Sequence, residues 1–252
     1  RNFMMYEREW KEEVGSEDCH GRALWALGTT AGRTRHAGLR GLAVRLFEEA
    51  LPAVANFKSP RAWSFALLGI MEYLRRFYGH RAAADTRKLL SERLLSLFEH
   101  NQTDDWVWFE DRLAYCNARL PHALILCGRW MEHDQMVDAG LRSLDWLMSV
   151  QRMENDHFVP IGSNGFYIRG RERARFDQQP VEAHASASAC LEAYRMTGDE
   201  RWKQDAYRAF GWFLGHNDLR MSLYDSSSGG CCDGLSPDRV NQNEGAESTI
   251  AF

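Results

Sequence analysis

The chain has 252 residues, room for one large domain, and its 44% hydrophobic and 26% charged content is that of a globular protein. A net charge of −4, with 31 basic residues outnumbered by 35 acidic ones and dispersed, excludes a basic nucleic-acid footprint. No run approaches the length of consecutive apolar residues that a membrane-spanning helix needs, so no membrane partner is expected.

Apolar residues recur with a helical period almost throughout. In chain order the spacing predicts a first helix over about Arg22 to Gly32 and a second over Leu39 to Phe57. A third follows Ser59-Pro60, a capping residue with proline at the first helical position, and reaches about Tyr78. A fourth covers Ala83 to His100, a fifth Leu120-Pro121 to Met131, and a sixth Asp134 to Gln151. A seventh runs from Pro180 to near Gly198, an eighth from Asp199 to near His216, and a ninth starts at Ala246. Phe158-Val159-Pro160-Ile161 and Phe166-Tyr167-Ile168 predict a small β-hairpin around Ser163-Asn164-Gly165.

A shift of 66 residues lays the fifth and sixth helices on the seventh and eighth: Ala123 on Ala189, Arg129 on Arg195, Arg142 on Arg208, Trp146 on Trp212. Helical hairpins repeated in this way stack into an open solenoid or close into a ring. Long irregular segments between them favour the ring, because loops of that length are usually functional. The expected fold is therefore all-α, an (α/α)n toroid of antiparallel hairpins, as a single domain over residues 1–252. The chain opens at Arg1-Asn2-Phe3 without an initiator Met and stops inside a helical start, which reads as part of a longer polypeptide. Cys127 and Cys190 lie in apolar helical patterns and read as buried thiols, which suits a cytoplasmic, reducing setting.

In an up-and-down arrangement the odd-numbered helices run parallel and start at one end. Polar residues crowd those starts: Asp18, His20 and Arg22 at the first; Trp106, Trp108, Glu110, Asp111, Tyr115, Asn117 and Arg119 before the fifth; Asp177, Gln178, Gln179, Glu182 and His184 at the seventh; Asn243, Glu244 and Glu247 at the ninth. The turns into the even helices are short and bland. Each carboxylate taken alone is accounted for by helix capping and the helix dipole. The set together predicts one pocket of carboxylates, amides, Arg, His and Trp.

The run Ala189-Cys190-Leu191-Glu192-Ala193-Tyr194-Arg195-Met196-Thr197-Gly198-Asp199-Glu200-Arg201-Trp202 resembles hairpins of the six-hairpin glycosidase-like superfamily. Trp108-Phe109-Glu110-Asp111, Asn117-Ala118-Arg119-Leu120-Pro121, Asp177-Gln178-Gln179-Pro180 and Gly245-Ala246-Glu247-Ser248-Thr249 are similar to segments of bacterial domains of this type, which often travel with glycosyltransferase modules. The resemblance implies an (α/α)6 toroid acting on an oligosaccharide or polysaccharide, without cofactor or metal. Glycoside hydrolysis needs two carboxyls across the scissile bond. The candidate pair is Glu110 or Asp111 with Asp177; Glu247 is a further candidate, with Glu182 in reserve. Trp106, Trp108 and Tyr115 are expected to stack on sugar rings, and Asp18, His20, Arg22, Asn117, Arg119, Gln178, Gln179, His184, Asn243 and Glu244 to line the substrate. Six hairpins need twelve helices, more than this sequence carries. A glycan-binding module without turnover, attached to a glycosyltransferase, stays open, as does a sugar epimerase with His20 and His184 as bases. So does a zinc enzyme of lanthipeptide-cyclase type, from Cys19-His20-Gly21 and Gly230-Cys231-Cys232-Asp233-Gly234.

Overall fold

A computed structural model describes residues 2–153 and 155–252. Among the described residues the helices are α1 (Glu17–Arg33), α2 (Ala37–Ala50), α3 (Pro60–Leu74), α4 (Arg81–Asn101), α5 (Arg119–Met131), α6 (Asp134–Val150), α7 (Pro180–Thr197), α8 (Glu200–Gly211) and α9 (Ala246–Ala251). Four two-residue strands form two antiparallel pairs: β1 (Arg112–Leu113) with β2 (Tyr167–Ile168), and β3 (Gly234–Leu235) with β4 (Val240–Asn241). No described helix is long and apolar enough to cross a membrane.

Three of the departures from the sequence reading have clear physical causes. The first helix starts five residues early. Ser16 accepts the amide of Cys19, and Glu17 and Asp18 suit the positive end of the helix, so Asp18 and His20 stand on α1 rather than in a loop before it. The second helix stops at Ala50 and continues as a 3-10 turn over Leu51–Asn56, because Pro52 removes an amide donor and crowds the preceding turn. The expected hairpin over 158–168 does not form. Phe166 N closes a tight turn on the carbonyl of Gly162, Val159 N turns back to Gln151, and Tyr167–Ile168 pair instead with Arg112–Leu113.

The chain divides into two compact units: Arg1–Ser96 with Leu126–Val137, and Leu97–Ile125 with Asp138–Phe252. In the first, α1 and α3 pack along their whole length. A Cβ on Gly28 would lie 2.1 Å from the carbonyl oxygen of Gly69; one on Gly21 would lie 2.8 Å from that of Ala62, and one on Gly32 2.1 Å from that of Glu72. The partner number rises with the glycine number, so the two helices are parallel. Bare backbone at these three positions permits the approach. Glu17 joins the two starts, its Oε2 accepting the amides of Lys58 (2.9 Å) and Ser59 (2.8 Å). Leu24, Phe47, Phe65, Leu67, Ile70 and Tyr73 fill the core of this unit.

In the second unit, α7 ends at Gly198 in the left-handed conformation (φ 70°), and Asp199 caps α8 after a tight turn. Ala183, Ala185, Ser186 and Ala189 form the buried side of α7, the small residues expected of a helix with neighbours on several sides. His184 Nδ1 donates to the carbonyl of Ala251 at 2.7 Å, near the α7 start, so α9 lies alongside. Trp108, Phe109, Trp202, Trp212 and Phe213 dominate this core.

Candidate functional site

The segments before α5, α7 and α9 belong to the second unit and are bonded to one another. The β1–β2 pair joins the segment before α5 to the long connection before α7, and Arg169 N donates to Asp111 O at 2.9 Å beside it. Glu182, in the first turn of α7, accepts the amide of Cys116, the amide of Asn117 (3.4 Å) and Asn117 Nδ2 (2.9 Å). Gln178 and Leu235 exchange both backbone hydrogen bonds at 2.9 Å. Asp233 accepts the amide of Gly245 (2.8 Å) and Asn243 Nδ2 at the entrance to α9, and hydrogen bonds from Ser248 first, then from Asn243 and Gly245, hold its carboxyl below the usual carboxylate range. Three of the four polar segments thus share one rim.

The other predicted residues, Asp18, His20 and Arg22, belong to the first unit. Asp18 and Arg22 form an ion pair at 2.8 Å, the Arg22 guanidinium lies 4.4 Å from the ring of Phe65, and His20 Nε2 donates to the carbonyl of Ala50 at 2.9 Å. They fasten α1 to its neighbours.

Two stacking residues are corrected. Trp106 is 3% exposed and Trp108 0%, and both pack against Trp146, while Trp106 Nε1 donates to the carbonyl of Glu110 at 2.7 Å. An indole enclosed in this way has no face for a sugar; Trp106 also packs against Tyr167 of β2. Gln178 is corrected too. It is fully buried, its amide committed to Asp218, Arg175 O and Trp212, so it cannot take a substrate hydroxyl. Asn117 and Glu182 are buried against each other and serve the loop. Tyr115 is half-buried.

The carboxylates named for chemistry are accessible. Asp177, Asp111 and Glu247 are exposed and Glu110 half-buried. Asp177 stands at a bend just before the Gln178–Leu235 bridge; Asp177 and Gln179 are exposed while Gln178 and Pro180 are buried. Its Oδ1 accepts from Ser236 Oγ at 3.3 Å, and its carbonyl accepts the amide of Ser163 at 3.0 Å. Asp111 pairs with the adjacent Arg112 at 3.2 Å, and Glu244 accepts from Ser228 Oγ at 2.7 Å.

His122 escaped the sequence reading. It lies one turn into α5 beside Arg119, which is 2% exposed. Burial, with the Arg119 cation next to it, pushes the His122 imidazole down to about 3, and the same two causes push His184 down to about 4. Both rings are neutral at pH 7, and their tautomers are opposite. Arginine can only donate, so His122 Nδ1, 3.4 Å from Arg119 Nη1, accepts and its proton is on Nε2. A carbonyl can only accept, so His184 Nδ1 donates to Ala251 O and its Nε2 carries the lone pair.

This pair fixes a pH dependence. The unfolded chain binds protons on both imidazoles below their ordinary value of 6.5, while the folded chain refuses them until about 4 and 3. Stability should therefore fall as pH drops from about 6.5 towards 4. The double variant H122Q/H184Q, followed by urea denaturation across that range, should show a flatter profile than the parent chain. An unchanged slope would contradict the neutral assignment.

Among the described residues, no group of three or more His, Cys, Asp or Glu is placed to hold a metal ion. The six cysteines are free thiols, and burial raises Cys231 to about 12.

No protein-family profile and no curated protein matches the chain. Solved structures do. An unsaturated glucuronyl hydrolase specific for heparin superposes with a TM-score of 0.60 at 14% identity, over 79% of this chain and 57% of that one. A glycoside hydrolase family 76 (mannosidase) protein from Bacteroides thetaiotaomicron VPI-5482 gives 0.57 at 9%, over 82% and 63%. A sugar epimerase from a ruminal bacterium gives 0.65 at 14%, over 95% and 69%. The chain thus spans about three fifths of the length of the first two. At these identities the likeness is one of fold: over the parts covered, this chain shares the helical (α/α) toroid fold of these proteins.

Proposed function

We propose that the second unit carries a carbohydrate-processing site where α5, α7 and α9 begin, and that its reaction is hydrolysis of a glycosidic bond in an oligosaccharide or polysaccharide. The observation that carries this reading is the bonded rim itself. It keeps Asp177 exposed beside the pinned Gln178 and ties that stretch to the one bearing Glu110 and Asp111. One carboxyl of the pair, Glu110 or Asp111, faces the bond from the first segment and Asp177 from the second. One protonates the departing oxygen while the other draws a proton from water, which inverts the anomeric centre. Asn243 and Glu244, both exposed, supply polar contacts at the rim. An attached glycosyltransferase module fits this reading as a partner.

The test is reducing-sugar release from a panel of polysaccharides by the parent chain, D177N and E110Q. Each variant should fold and lose about a hundredfold or more of the activity. Full activity in both would end the assignment, and oligosaccharide binding without turnover by the parent would favour a binding module.

One observation favours a second reaction, sugar epimerisation. His184 presents a bare Nε2 and His122 a protonated one, a base and an acid for moving a proton at a carbon beside a carbonyl. Deuterium from solvent at that carbon, lost in H184Q, would select this reaction over hydrolysis.

A further inference from the structure

We infer that Asp218 is the positioning residue of the rim: a buried carboxylate that holds residues 175–179, and with them Asp177, in the geometry the proposed chemistry requires. The inference rests on the carbohydrate-processing reading for its functional consequence, and on hydrogen bonds alone for its structural part.

Nothing in the sequence singled out Asp218, which follows the end of the α8 hairpin in an irregular stretch. Its side chain is 2% exposed and meets three donors: Arg175 through Nε (3.2 Å) and Nη2 (2.9 Å), His157 Nε2 (2.8 Å) and Gln178 Nε2 (2.7 Å). These bonds, from Arg175 first, hold the carboxyl below its usual range although burial opposes ionisation. Gln178 continues the chain of contacts, its Oε1 accepting from the buried Trp212 Nε1 at 2.7 Å. The backbone of Gln178 is pinned to Leu235 on both sides.

The consequence falls on the neighbour. Asp177 has its own carbonyl held by Ser163 and its next residue immobilised in side chain and backbone. Its carboxyl rides on a frame held by the buried Asp218 carboxylate and the three donors that meet it. A buried carboxylate with three donors is costly to disturb, because the Gln178 amide and the His157 ring would lose their partner where little water reaches. Arg175 and His157 come from different parts of the long connection before α7, so one carboxylate gathers that connection around the α7 start. A displacement of about 1 Å at a catalytic group costs about a hundredfold in rate, so this frame controls turnover without touching substrate.

The experiment pairs D218N with a milder variant, R175Q, whose side chain is half exposed and whose loss leaves the core intact. Amide hydrogen exchange reads the frame directly. Gln178 and Leu235 should exchange at least tenfold faster in D218N and to a lesser degree in R175Q, while amides in the middle of α7 and α8 keep their protection. Unchanged exchange at Gln178 and Leu235, or faster exchange spread evenly over α7 and α8, would overturn the proposal. Reducing-sugar release from the polysaccharide panel reads the consequence. D218N should lower kcat about tenfold or more with KM little changed, and should cost nothing further when combined with D177N. Additive losses would mark a general structural role and overturn it. If D177N is fully active, the hydrolase reading falls, and the exchange data alone then decide whether Asp218 holds the segment.

Discussion

Gly28→Ala should cost the first unit about 3 kcal/mol, although alanine is the better helix former by about 1 kcal/mol. The added methyl would sit 2.1 Å from the carbonyl oxygen of Gly69, a main-chain atom that cannot swing aside. Relief requires α1 and α3 to separate, and the helices meet again at Gly21 and Gly32, so the whole parallel pair must shift. Gly41 is the control. It lies on the exposed side of α2 with nothing within 4 Å of its added Cβ, so Gly41→Ala should gain about 0.5 to 1 kcal/mol. Urea denaturation of the two variants should move the midpoint in opposite directions. A stable Gly28→Ala protein would mean that the helices do not approach as closely as described.

The second large effect is expected at Glu182. Its carboxylate is the acceptor for the Cys116 and Asn117 amides and for Asn117 Nδ2, all in a place with almost no solvent. Cys116 also adopts a left-handed backbone (φ 49°), a conformation a non-glycine residue keeps only when its surroundings enforce it. Glu182→Ala strands these donors and releases that constraint, a loss of about 3 to 5 kcal/mol. Glu182→Gln keeps one acceptor and should lose about 1 to 3 kcal/mol. Denaturation measures both. A loss under about 1 kcal/mol for the alanine variant would show that the loop is anchored elsewhere.

The helices were legible because burial on one side of a helix writes a 3.6-residue rhythm into the chain. Their starts were read well where a cap or proline marks them, at Ser59-Pro60, Asp199 and Pro180, and less well at α1, where Ser16 lies beyond the apolar rhythm. The crowding of polar residues before odd helices was legible, and three of those segments do meet. What each residue does there was not. Trp108 and Gln178 have the composition of a sugar site, yet both face inward, and the direction of a side chain in an irregular segment leaves no periodic trace. His122 and Asp218 were missed for the same reason: their meaning lies in Arg119, Gln178 and Arg175, partners that local spacing does not reveal. The 158–168 hairpin failed because pairing was assigned to the nearest apolar run, whereas residues 112–113, far back in sequence, supplied the partner.

The rim is sewn largely through main-chain atoms: β1 to β2, Gln178 to Leu235, Ser163 to the carbonyl of Asp177. Peptide groups are the same whatever residue bears them, so outward side chains there can be exchanged while the stitching holds. Such a border tolerates new specificities without a new architecture. That latitude accords with a shape kept by proteins only 9 to 14% identical to this one.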